Sequence, residues 1–81
     1  MAIDQRKVGQ RIKQAIDDSA KFDSFVSVAL ELKRKGMKGG DERGASVSRW
    51  VGGKHIRLET LNDLSRILNR RAMWFLEGTE D

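Results

Sequence analysis

The sequence predicts an all-α domain built from five short helices. Three observations lead there: apolar residues recur at three- and four-residue spacing, no useful stretch alternates as a strand does, and proline is absent. Val8, Ile12, Ala15 and Ile16 form the stripe of a first helix, which Asp4 can cap and which fades near Ser19. Phe25, Val28, Ala29 and Leu32 give a second, opening near Asp23-Ser24 and ending before Gly36. A third spans Ala45–Val51, bounded by Gly39-Gly40 and Gly52-Gly53, with Val47, Trp50 and Val51 on one side. Leu61, Leu64, Ile67 and Leu68 mark the fourth, running from about Leu58 to Asn69. The last holds Ala72, Met73, Phe75 and Leu76 and stops at Gly78.

A chain of 81 residues suits a single domain over 1–81, too small for a deep cleft. With 38% hydrophobic and 35% charged residues, the composition is that of a soluble globular domain. No apolar run approaches the ~18 residues that cross a bilayer, and Met1-Ala2-Ile3-Asp4 lacks the pattern of a secretory leader. Cysteine is absent and His55 is the lone histidine, so neither disulfides nor a histidine–thiolate metal centre is expected. The adjacent carboxylates Asp17 and Asp18 point about 100° apart on a helix and cannot act as an acid/base pair. Gly36-Met37-Lys38-Gly39 matches an RNA-binding GXXG loop without its flanking strands. Gly52-Gly53-Lys54 resembles the tail of a P-loop but lacks the earlier glycine and the following hydroxyl residue. The expectation is a protein that is not an enzyme and needs no cofactor, metal or small-molecule ligand.

Charge is more informative. Residues 1–32 have a net charge of 0, residues 33–57 one of +6 and residues 58–81 one of −2. A basic middle between neutral and acidic flanks suits a polyanion, although a merely solvated charged face has the same composition. The Ala45–Val51 helix favours the polyanion. Ala45, Ser46 and Ser48 make its outer face slim enough for the major groove, and the Arg49 guanidinium suits the O6 and N7 acceptors of guanine. Val47, Trp50 and Val51 anchor the opposite face, so Trp50 reads as core rather than as a base-stacking platform. Lys54, Arg57 and Lys38 flank the helix as phosphate contacts.

These residues also carry a resemblance. The run Ser46-Val47-Ser48-Arg49-Trp50-Val51-Gly52-Gly53-Lys54-His55-Ile56 resembles the recognition helix and following loop of the phage-repressor (Cro/repressor, XRE-like) helix-turn-helix family. Leu58–Asn69 is similar to that family's fourth helix, Trp74-Phe75-Leu76-Glu77-Gly78 to its closing helix and Val8-Gly9-Gln10-Arg11-Ile12-Lys13 to its first. The resemblance implies a five-helix, lambda-repressor-like domain that binds double-stranded operator DNA, usually as a homodimer. It implies a transcriptional regulator, most simply a repressor, in the cytoplasm or nucleoid of a bacterium and of phage, prophage or bacterial origin. Carried over by position, Gly44, Ala45, Ser46 and Arg49 face bases, while Ser48 and Lys54 lie near the DNA backbone.

The departure lies before the recognition helix. The family joins its second and third helices by a turn of about 3–4 residues, whereas Leu32 and Trp50 stand 18 positions apart here. The excess, residues 33–40, reads as a flexible basic loop whose Lys35 and Lys38 supply extra phosphate contacts. The glutamine that often opens the second helix is replaced by Ser24-Phe25. Asp41 and Glu42 suit a helix N-terminus but repel DNA, so they are expected to turn aside, with the groove-facing part beginning near Arg43. Met73, Trp74, Phe75 and Leu76 cannot all point inward from one short helix, leaving apolar surface either for a dimer contact or for packing over the first helix. The alternative function uses that C-terminal apolar surface: a protein-interaction module, such as an antitoxin, binding a partner protein through Trp74, Phe75 and nearby apolar residues.

Overall fold

The structure, a computed structural model, describes residues 4–78. Met1-Ala2-Ile3 and Thr79-Glu80-Asp81, the two ends of the expected 1–81 domain, lie outside the described residues. Five helices form, and the described residues contain no strand: α1 (Gln5–Asp18), α2 (Phe25–Arg34), α3 (Ala45–Val51), α4 (Leu58–Leu68) and α5 (Ala72–Glu77).

Their boundaries follow local chemistry. The Asp4 side chain accepts the Lys7 N–H at the start of α1, and Ser24 and Ser27 form a reciprocal capping box at the start of α2. Asn69, in the left-handed region at φ 56°, ends α4, and Gly78 at φ 78° ends α5. The buried stripes follow the expected periodicity, with Val8, Ile12, Ala15 and Ile16; Val28, Ala29 and Leu32; Val47 and Trp50; and Leu61, Leu64, Ile67 and Leu68 buried, while Phe25 and Val51 are only half-buried at the core's edge. Two further core residues come from loops, Phe22 before α2 and Ile56 before α4. Each fully buried side chain of this size contributes about 1.5–3 kcal/mol, so these loop residues matter as much as helical ones.

The principal contacts run α1 to α3, α3 to α2, α2 to α4, α4 to α5 and α5 back to α1, a closed circuit around one core. The α1–α5 link is held by Arg11, whose Nη1 donates to the carbonyls of Phe75 at 3.0 Å and Leu76 at 2.7 Å. That contact satisfies the last carbonyls of α5 with a cation, where the helix dipole favours one. On α5, Trp74 and Phe75 point inward and meet edge to face at 5.3 Å, and the Arg70 guanidinium lies over the Trp74 ring at 4.3 Å. Trp74 and Phe75 themselves are therefore buried and not free to grip a partner, contrary to that expectation. Met73 is the exposed apolar residue of this helix and Leu76 is half-buried.

The 35–44 connection corrects a second expectation, because it is packed rather than loose. The Met37 N–H donates to the Leu32 carbonyl at 2.9 Å across Gly36 at φ 71°, closing the end of α2, and the Met37 side chain rests against the core. The backbone at Gly39 lies on the Trp50 ring, and that at Gly40 lies on the backbone of Lys33, each too close for any side chain. Ion pairs from Lys33 to Glu42 (2.8 Å) and from Lys38 to Glu59 (3.6 Å) tie it at both flanks.

Candidate nucleic-acid interface

The α3 helix is wedged between α1 and α2, and its seven residues divide by face. Val47 is fully buried and Trp50 nearly so, whereas Ala45, Ser48 and Arg49 are exposed and Ser46 is half-buried. The exposed arc is thus two small residues and one long cation. Gly44 does not belong to it. It is buried, with its backbone against Phe25 and Val26 at the start of α2, where a side-chain carbon would sit 3.1 Å from both. Its φ of 74° is the left-handed conformation that begins α3 there, which only glycine adopts without strain. The expectation that Gly44 faces a ligand is corrected: it sets the approach of α3 to α2.

Asp41 and Glu42 are both engaged by neighbouring groups of the chain. One Asp41 oxygen accepts the N–H groups of Arg43 at 2.7 Å, Gly44, and Ala45 at 3.3 Å, and the other accepts Ser46 N–H at 3.4 Å. Those amides, led by that of Arg43, hold the carboxyl below its usual pKa, against partial desolvation. The Glu42 carboxyl is likewise lowered, by its hydrogen bond and charge pairing with Lys33. A shallow depression lies here, lined by Lys33, Gly40, Asp41, Glu42, Arg43 and Ala45. With two carboxylates in its wall it does not suit an anion.

At the other end, α3 closes in a Schellman turn: the Gly53 N–H donates to the Trp50 carbonyl and the Lys54 N–H to the Arg49 carbonyl, both at 2.9 Å. Lys54 therefore leaves the helix at a fixed position one turn beyond Arg49. The following loop is clamped by Gln5, whose amide Nε2 donates to the Ile56 carbonyl at 2.9 Å while its Oε1 accepts the Ile56 N–H at 2.8 Å. These two bonds to both backbone groups of Ile56, whose side chain is buried, fix the backbone that carries Arg57. Gly9 brings α1 in closely enough for this: a side-chain carbon there would lie 2.6 Å from the Trp50 carbonyl oxygen and 2.8 Å from that of Val51.

The basic segment splits into two groups. Arg34 grips the buried Glu31 through two hydrogen bonds of 2.7 and 3.0 Å, Lys33 pairs with Glu42, and Lys38 pairs with Glu59. Lys35, Arg43, Arg49, Lys54 and Arg57 are exposed and form no ion pair among the described residues. Lys38 is thus less available than Lys35, though its pair is long and solvent-exposed and so weak. His55 is exposed at φ 59° in the loop after α3. The sequence does not announce the roles of Gln5 and Gly9; a glycine inside a helical stripe is the one available sign of a close approach.

Among the described residues, no group of three potential ligands could hold a metal, and no helix is long and apolar enough to cross a membrane. No known family model, curated protein or solved structure matches the chain.

Proposed function

We propose that the protein binds double-stranded DNA in a sequence-selective manner and regulates transcription, most simply by occupying an operator and blocking polymerase. The observation that carries this reading is α3 itself: Val47 and Trp50 anchor it, Ala45, Ser48 and Arg49 are exposed, and Lys35, Arg43, Arg49, Lys54 and Arg57 form no ion pair among the described residues. A helix whose outer face is slim can lie in the major groove, and an arginine there can take the paired acceptors of guanine. Ser46, half-buried on the flank of α3, lies at the edge of that contact. Lys54, Arg57, Arg43 and Lys35 then hold phosphates, with Lys38 joining if it exchanges Glu59 for DNA. In helix-turn-helix terms, α2 and α3 are the supporting and recognition helices, joined by an ordered connection in place of a tight turn. The protein acts as a homodimer that sets two α3 helices about 34–36 Å apart.

Selection of binding sites from a random duplex pool tests the reading. A palindromic consensus with half-sites one helical turn apart is the expected result. Absence of enrichment, or binding that persists unchanged at high salt, overturns it.

A further inference from the structure

We infer that the DNA-binding surface continues from α3 onto the first turn of α1, with Arg6 as a further phosphate-binding residue. This inference rests on the DNA-binding reading above. Three contacts place Arg6 there. Gln5, its neighbour, holds the loop that carries Arg57 through paired hydrogen bonds with Ile56. The Arg6 backbone lies against Gly53, where a side-chain carbon would stand 3.0 Å from the Arg6 Cα, so Arg6 adjoins the residue before Lys54. Gly9, one turn along α1, sits on the last carbonyls of α3.

Helical geometry then separates Arg6 from its basic neighbour. Arg6 precedes Gly9 by three residues and is about 60° from it around the axis, on the flank beside the end of α3. Lys7 precedes Gly9 by two and is about 160° away, on the far side. Arg6 is exposed and forms no ion pair among the described residues. The nearest carboxylate in the chain, Asp4, is engaged by the Lys7 N–H. Arg6 thus adjoins the segment that carries Lys54, and the adjacent Gln5 holds the loop that carries Arg57, an arrangement suited to phosphates bordering a groove that α3 occupies.

The test uses the full chain and a random-sequence duplex, with binding followed by fluorescence anisotropy across a potassium chloride series. Arg6→Ala is expected to reduce the slope of log affinity against log salt by about 0.9, the value of one phosphate contact. Lys7→Ala removes the same charge from the opposite side and is expected to leave the slope unchanged. Circular dichroism melting of both variants checks that the fold is intact. A slope for Arg6→Ala equal to that of the unaltered chain overturns the inference, and so does an equal fall for Lys7→Ala, which marks a diffuse charge effect. If the unaltered chain shows no salt-dependent duplex binding, the DNA-binding reading itself falls and takes this inference with it.

Discussion

Single side chains divide into those that face solvent ready for a partner and those that hold the fold. Arg49 belongs to the first group, and on the DNA-binding reading it carries base preference. Arg49→Ala is expected to cost about 1–3 kcal/mol on a preferred site and to relax selectivity at one base pair, read by competition against random duplex. An equal loss on both duplexes makes Arg49 a phosphate contact instead. Glu31 belongs to the second group. The two hydrogen bonds from Arg34, and then one from Lys21, lower its pKa from 4.5 to about 2. A carboxyl with a lowered folded-state pKa contributes stability above its unfolded value and loses it as pH falls through the folded one. The stability gap between the native chain and Glu31→Gln is therefore expected to be full above about pH 5 and to close as pH falls towards 2, measured by urea denaturation. A gap independent of pH shows that the carboxylate charge is not what stabilises the site. The type of residue 31 announced none of this, since an acidic residue in a helix is ordinarily solvated.

At the level of helices and their connections, periodicity recovered nearly everything that depends on near neighbours in sequence. Asp4 and Ser24 cap where their chemistry said they should, and α3 occupies the stretch between its flanking glycines. Contacts between distant positions were not recoverable that way. Phe22 and Ile56 stand outside any repeating stripe, so their burial is decided by partners elsewhere in the fold. Residues 33–40 read as a flexible basic loop, yet Lys33 and Arg34 belong to α2, and Gly39 and Gly40 allow the backbone to lie on Trp50 and Lys33. The resemblance places Gly44 towards a ligand, but matching by position does not show what packs against the residue that begins α3. Gly9 gives the sharpest test at this scale. Glycine to alanine inside a helix normally stabilises by about 1 kcal/mol. Here the added carbon meets the α3 carbonyls, so Gly9→Ala is expected to destabilise by about 1–3 kcal/mol in urea denaturation. A gain in stability sinks the claim that α1 and α3 are in contact through this residue.

Across the whole molecule, the helix circuit makes the core continuous from Trp50 on α3 to Trp74 on α5. Tryptophan fluorescence and far-ultraviolet circular dichroism are accordingly expected to report one coincident thermal transition. Separate midpoints contradict a single cooperative core. The all-α class and the helix order were readable from sequence because they need only spacing and caps, while the circuit was not, since it is made of tertiary contacts. A last consequence comes from Asp41. Its carboxylate already takes up the bare amides at the leading tip of α3, much as a captive anion would. The rod consequently has no vacant positive nose for spearing a charged polymer end-on. On the DNA-binding reading the duplex is therefore met broadside, along Ala45, Ser48 and Arg49, with a carboxylate plugging the end of the rod.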